Sequence, residues 1–122
     1  MDNADNTAPD GFTLIEHLPF TTAPVIGARA KIGLVVLASD YTIEHEFRTM
    51  VAMPGVDIFM ARIANDPRVT PDTLAAMEPL LTETASRILP GDKVDVLAYG
   101  CTSASVVLGA DRVSARLAEA KP

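Results

Sequence analysis

From residue 31 onward, the chain alternates short continuous apolar runs with longer stretches in which apolar positions return every third or fourth residue. The first run, residues 31–38, reads Lys-Ile-Gly-Leu-Val-Val-Leu-Ala and stays rich in Val and Leu throughout, the pattern of a strand covered on both faces. Such a strand is expected at the centre of a parallel sheet. Thr42 then stands where a helix cap belongs, and Glu44 and Glu46 fall in the first turn, where carboxylates meet the positive helix end. Ile43, Phe47 and Met50 succeed it at helical spacing. Pro54 and Gly55 stop that helix, and residues 56–63, with Val56, Ile58, Phe59 and Met60, supply a second strand.

Thr70, Pro71 and Asp72 make a second helix start, with proline at the tolerated first position, and Leu74, Met77, Leu81, Ala85 and Ile88 line one face of the helical stretch it opens. Pro79 falls inside this stretch and predicts a kink, because proline removes a backbone donor and clashes with the preceding turn. Pro90 and Gly91 end the helix, residues 94–99 form a third strand, and residues 101–109 open the next helix. Asp111 is expected to cap a last helix running through Ala120. The order is βαβαβα, so the fold class is α/β, a three-layer parallel sheet forming one Rossmann-like lobe over residues 31–122. Residues 1–30 differ in character. Asp2, Asp5, Pro9, Asp10, Pro19 and Pro24 break any periodicity, which predicts an arm. Phe12, Leu14, Ile15, Leu18 and Phe20 are apolar enough for that arm to dock on a neighbour, so it is either poorly structured or ordered by contact.

Composition narrows the functional classes. With 122 residues, 48% of them hydrophobic, the chain suffices for one domain with a core. The formal net charge is −6 and the ten Lys and Arg residues are scattered, so the clustered basic footprint of a nucleic-acid binder is missing. The apolar runs are far shorter than the roughly 20 residues that span a bilayer, and no membrane partner is expected. Met1 leads into Asp2, Asn3 and Asp5 rather than a basic stretch and then an apolar one, so no secretory leader is read. A single cysteine without a leader suits a reducing compartment, and the expected location is cytoplasmic. His17, His45 and Cys101 lack zinc-site spacing, and Gly27 and Gly33 lack that of a nucleotide fingerprint, so neither metal nor cofactor is expected.

Parallel α/β sheets place their chemistry outside the carboxyl ends of the strands. Three loops are expected to converge there: Ser39, Asp40, Tyr41 and Thr42 after the first strand, Arg62 to Asn65 after the second, and Tyr99 to Ser105 after the third. The last is the most informative. Gly100 permits a tight turn, and Cys101 lands at the amino end of a helix, where a thiol's pKa can fall from about 8.5 to roughly 3.5–7.5. Free backbone N–H groups there can also bind a substrate carboxylate, and Thr102, Ser103 and Ser105 add hydroxyls. A small buried residue at a strand end remains the alternative reading of Cys101.

The run Cys-Thr-Ser-Ala-Ser at 101–105 resembles the cysteine signature of the Asp/Glu racemase superfamily. Ile-Gly-Leu-Val-Val-Leu-Ala-Ser-Asp-Tyr-Thr-Ile-Glu-His-Glu at 32–46 is similar to the first strand and loop of its maleate cis-trans isomerase branch. Val-Asp-Val-Leu-Ala-Tyr-Gly-Cys-Thr-Ser-Ala-Ser at 94–105 resembles the same branch, and especially its ectoine-utilisation protein A group. The resemblance implies two similar α/β lobes with the active site between them, no metal or organic cofactor, and a small carboxylate or amino-acid substrate. It implies Cys101 as the first-lobe catalytic cysteine. Such a cysteine either exchanges the α-proton with a second cysteine, or adds to a double bond so that it can rotate. Asp40 stands where the isomerase branch carries Asn; a negative charge there repels a dicarboxylate and favours an amine- or amide-bearing amino acid, as in ectoine degradation.

The sequence supplies one cysteine and ends at Pro122, where a relative is expected to continue into its second lobe. Low or no turnover is therefore expected without a second lobe or a homo-oligomeric partner, and a non-catalytic α/β binding or assembly module is the alternative function. Asp40 is read as a base or thiol-orienting group, or as a helix cap. Arg62 is read as a bidentate carboxylate clamp or a solvated loop arginine. Ser39, Tyr41, Thr42, Tyr99, Thr102 and Ser103 complete the candidate substrate-binding set, with Tyr99 either leaning into the pocket or finishing the strand. His45, between Glu44 and Glu46, is read as part of a solvated helix face.

Overall fold

The computed structural model describes residues 11–15 and 17–122. Three parallel strands, β1 (Ala30–Leu37), β2 (Val56–Ile63) and β3 (Val96–Tyr99), form a sheet in the order β2-β1-β3. The helices are α1 (Ile43–Met50), α2 (Pro71–Ala75), α3 (Glu78–Ser86), α4 (Thr102–Leu108) and α5 (Ala110–Ala120). The fold is α/β, a parallel Rossmann-like lobe with helices flanking the sheet.

The continuous apolar run places β1 in the centre. Leu34, Val35 and Val36 are each 0% exposed although successive side chains point to opposite faces, so both faces of β1 are covered. The register sets Val35 between Ala61 of β2 and Tyr99 of β3. Val35, Ile63 and Tyr99 face the α3–α5 layer, where Met77, Leu81, Ala85, Ile88, Val113 and Leu117 complete the core. An ion-pair network closes this layer. Arg116 reaches Glu78 at 3.3 Å, and the Thr82 hydroxyl donates to the Arg116 carbonyl at 3.0 Å and to Glu119 at 2.9 Å.

Helix α1 covers the other face. Gly100 continues the ladder past β3, its N–H donating to the Val35 carbonyl at 2.8 Å, and a Cβ built on it would meet Ile43 Cδ1 at 2.7 Å. Its neighbour Tyr99 reaches Met77 on the opposite side. The two crossovers therefore pass over opposite faces, as right-handed connections to strands on either side of β1 require. Cover by α1 is light: the helix has no buried residue, and Val96 is 57% exposed.

Several local expectations are corrected. Pro79 does not kink one helix; it separates two, taking a position in the first turn of α3 where its missing N–H has no partner to lose. Thr42 makes no side-chain cap, and the Asp40 carboxylate takes that role. Asp111 lies in the first turn of α5, whose cap position is Gly109 at φ 90°. Strand β3 starts at Val96 rather than residue 94, and Asp95 bridges to Lys31 instead. The Lys31 N–H donates to the Asp95 carboxylate at 2.7 Å, and the Asp95 N–H to the Lys31 carbonyl at 2.8 Å.

Of the arm expected over residues 1–30, residues 1–10 and 16 lie outside the described residues. Beyond them Phe12, Ile15, Leu18 and Phe20 stand exposed. No helix among the described residues is long and apolar enough to cross a membrane.

Candidate functional site

At the carboxyl edge of the sheet the loops after β1 and β2 are tied together. The Asn65 side chain accepts from the Ser39 N–H at 3.2 Å and donates to Ser39 Oγ at 2.9 Å. Arg62, the penultimate residue of β2, reaches across the same gap. Its Nη1 donates to the carbonyls of Leu37, Ala38 and Asp40 at 3.2, 3.3 and 2.7 Å, and its Nη2 pairs with Glu44 at 2.7 Å. One planar guanidinium thus gathers the whole turn from β1 into α1. Its Nη1 and one donor of Nη2 are thereby engaged within this chain.

Asp40 is occupied in a similar way. Its Oδ1 accepts from the Ile43 and Thr42 N–H groups at 2.9 and 2.8 Å and from the Thr42 hydroxyl at 3.3 Å. These bonds, led by that from Ile43 and helped by the Arg62 charge, hold its carboxyl below the usual range. The carboxylate is directed to the start of α1, so any effect of its charge on a ligand is exerted through space.

The third loop carries the thiol. Cys101 sits at the N-cap of α4 with extended backbone (φ −143°, ψ 95°), and its carbonyl accepts from the Ser105 N–H and hydroxyl at 3.1 and 2.9 Å. The side chain makes no capping bond and is 8% exposed. It contributes to the wall of a cavity of about 110 Å³, shared with Leu37 of β1, Asn65, Asp66 and Arg68 of the β2–α2 loop, and Ser103. Asp66 accepts from the Arg68 N–H at 2.8 Å and pairs with its guanidinium at 3.4 Å, so the charges at the mouth are matched. Through Asn65, Asp66, Thr73 and Met77 the cavity adjoins an open groove of about 450 Å³. Through Val69, Leu74 and Ser103 it adjoins another of about 410 Å³, whose wall includes Thr102, Val106 and Val107.

Behind the thiol lies Tyr99. Two residues apart in extended chain, Tyr99 and Cys101 face the same side, and both are in the α3–α5 core. The half-buried phenol donates to Met77 Sδ at 3.6 Å. Burial first, and then the neighbouring Cys101, push its ionisation well above the ordinary tyrosine range.

The sequence-selected residues therefore divide. Cys101 and Ser103 share the cavity wall and Thr102 the adjoining groove, while Tyr99 packs behind the thiol. Ser39 serves as a loop tie, Asp40 and Arg62 organise the β1–α1 turn, and Thr42 and Tyr41 are exposed, Tyr41 at 89%. Sequence reasoning placed Asn65 at the end of the converging loop without giving it a role, and did not select Asp66, Arg68 or Met77 for the site. The convergence rule pointed to the loop after β2, and tracing it beyond residue 65 would have found the acidic and basic members. Met77 carried only the signal of a core position. Among the described residues, no group of three or more His, Cys, Asp or Glu side chains is gathered as a metal site.

Comparison with models of known families, with curated proteins and with solved structures finds no match for this chain. Fold and site define a class: a parallel α/β lobe with a thiol-lined cavity at the carboxyl edge of its sheet.

Proposed function

We propose that this chain is one lobe of a cofactor-independent enzyme of the Asp/Glu racemase or maleate isomerase kind. It acts in the cytoplasm on a small carboxylate or amino acid, in ectoine catabolism. The observation that carries the reading is the position of Cys101, at the end of β3 and the start of α4, in the wall of a cavity only about 110 Å³ in volume. Supporting it are the resemblance over residues 32–46 and 94–105 and the meeting, at that cavity, of the end of β1, the β2–α2 loop and the β3–α4 turn.

In the proton-transfer version, the Cys101 thiolate takes the substrate's α-proton, leaving a carbanion, and a group on the opposite face returns a proton. In the isomerase version, the thiolate adds to one carbon of a double bond, the resulting single bond rotates, and elimination restores both the double bond and the thiolate. The first version needs a second acid, which a chain with one cysteine does not supply as a thiol. A second lobe or another copy would provide it. Arg68 at the cavity mouth is the cation best placed for a substrate carboxylate, once released from Asp66.

A second reading, a non-catalytic binding or assembly module, is favoured by the apolar exposure next to the cavity: Val69 is 73% and Val106 78% exposed. Alkylation of the single cysteine by iodoacetamide as a function of pH separates the two. Half-maximal rate well below the free-thiol value of about 8.5 supports the enzyme. A thiol inert across the whole range in which free thiols ionise removes that reading and leaves the module.

A further inference from the structure

Strand β2 forms one border of the sheet, and its inner side pairs with β1 along all eight residues without a bulge. The carbonyls of Gly55 and Ile63 point to β1, accepting from the Ala30 and Ala38 N–H groups at 3.2 and 2.8 Å. Backbone groups alternate along a strand, so its odd-numbered residues turn to β1, and Ile58, Met60 and Arg62 turn their N–H and C=O groups outward. Among the described residues, no backbone hydrogen bond meets these three on the outer side. A groove of about 370 Å³ between the end of α1 and Val56, Asp57 and Ile58 leaves the amino half of that border open.

Border strands are ordinarily guarded by lysines, prolines, bulges or shortness, because unpaired backbone groups recruit other strands. Strand β2 has none of these guards, whereas β3, at the opposite border, has only four residues. The two charged side chains of β2 are both engaged on the β1 side. Asp57 accepts from the Gly27 N–H at 2.7 Å, and Arg62 reaches the carbonyls of the β1–α1 turn. Every other side chain of the strand is apolar.

We propose that β2 pairs antiparallel with β2 of a second copy of this chain, about a twofold axis at Phe59, joining two three-stranded sheets into one of six strands. Such an axis stands perpendicular to the sheet and keeps each face with its like, so paired residues are both even-numbered or both odd-numbered. The register centred on Phe59 meets this condition. Ile58 exchanges hydrogen bonds with the partner's Met60 through the outward groups of both, and Phe59 meets the partner's Phe59 at the closer, non-hydrogen-bonded spacing that suits an aromatic pair. Asp57 stands opposite the partner's Ala61 and Arg62 opposite the partner's Val56, so no like charges face each other. Helix α1 carries Glu44 and Glu46 in its first turn and Arg48 in its last, and it has no buried residue. The same axis sets the two α1 helices antiparallel on one face, the acidic turn of each towards the basic turn of the other. This self-complementarity selects a second copy over an unrelated extended segment. The inference goes beyond the thiol reading and does not rest on it, because antiparallel pairing turns the carboxyl edges of the two sheets, and with them the Cys101 cavities, to opposite sides.

Sedimentation of the full chain across a concentration series tests the pairing, and a monomer–dimer equilibrium is expected. Met60→Pro deletes an outward donor while sparing the ladder to β1, and Met60→Lys keeps the backbone but sets a charge at the junction. Each is expected to weaken association by about tenfold or more. Val96→Lys, at the β3 border where Val96 is 57% exposed, is expected to leave association unchanged. A parent that stays monomeric throughout, association that survives both Met60 variants, or its loss in Val96→Lys overturns the proposal.

Should the Met60 variants fail to fold, amide exchange in the unmodified protein decides. The Ile58 and Met60 N–H groups are expected to be protected in concentrated solution and to exchange quickly on dilution, while those of Phe59 and Ala61, turned to β1, stay protected at both. Fast exchange at Ile58 and Met60 in concentrated solution sinks the pairing and leaves the thiol chemistry, read by alkylation, untouched.

Discussion

Asn65 grips Ser39 at two points, accepting from its N–H at 3.2 Å and donating to its hydroxyl at 2.9 Å, and so joins the loop after β2 to the loop after β1. The same Nδ2 reaches the Asp66 carbonyl at 3.2 Å, which shapes the cavity wall on the Cys101 side. Replacing Asn65 removes both ends of the clamp, whereas Ser39→Ala removes only one. Asn65→Ala is expected to lower stability by about 1–2 kcal/mol and Ser39→Ala by about half that, since neutral hydrogen bonds contribute about 1 kcal/mol each. Urea denaturation of both single variants and the double variant checks this. Full additivity in that cycle would mean the two residues do not act as a unit.

Arg62 offers a sharper contrast between binding and architecture. Its guanidinium meets three carbonyls and Glu44, a set that an ammonium cannot match because it lacks the planar fork. Arg62→Lys is therefore expected to destabilise nearly as much as Arg62→Met, each by roughly 1 kcal/mol after allowance for solvent exposure. Thermal melts of the two variants measure the difference. A lysine variant as stable as the parent would show that charge alone, not the fork, organises the turn.

Asp40 predicts an acid-side effect whose sign is set by its lowered pKa. The folded state prefers the ionised carboxylate, so the stabilisation is fully present above the ordinary value of 3.8 and is lost as pH falls through the lower folded value. Asn is as good a capping residue as Asp but does not titrate. Asp40→Asn should accordingly cost little at neutral pH and flatten the decline in stability on the acid side of that ordinary value, as read from urea midpoints across an acid-to-neutral series. An unchanged acid profile would move the titration to another carboxylate, with Asp92, lowered chiefly by its bond from Lys31, the next candidate.

The fold was legible because its signals are redundant. Residues 31–38 carry an uninterrupted apolar run that only a doubly covered strand uses, and residues 56–63 were bounded by Pro54 and Gly55. The stripe of Leu74, Met77, Leu81, Ala85 and Ile88 turned inward as expected even though Pro79 divided the helix beneath it, because three- and four-residue spacing survives a one-turn break. Capping was less legible. The Thr42 hydroxyl, expected to accept from the first turn of α1, instead donates to the Asp40 carboxylate, which also accepts from the N–H groups of Thr42 and Ile43. The site was legible by rule at Cys101 and Ser103, which come directly after a strand. Arg62 and Asp40 lie in equally suitable sequence positions, but Arg62 turns to backbone carbonyls of a distant loop, which no spacing along the chain announces, while Asp40 takes N–H groups two and three residues on, the local pattern behind the helix-cap reading of it.

Gly100 illustrates a residue chosen for space rather than for turn geometry. Sequence reasoning assigned it a tight turn, yet it is absent from the glycines with positive φ. What it provides is clearance: a Cβ there would stand 2.7 Å from Ile43 Cδ1 and 3.4 Å from the Val35 carbonyl. The close atom is the end of a flexible side chain, so the conflict is one that Ile43 can relieve. Gly100→Ala is expected to cost about 1–2 kcal/mol, the range of modest overpacking. Ile43→Val removes the offending methyl at a cost of about 1 kcal/mol on its own. The double variant should then be less destabilised than the sum of the two, because the new methyl fills the space vacated by the old one. Equilibrium unfolding of the three proteins supplies the cycle. Strict additivity would mean that the strain at Gly100 falls on the Val35 carbonyl, and that α1 is not what holds this position open.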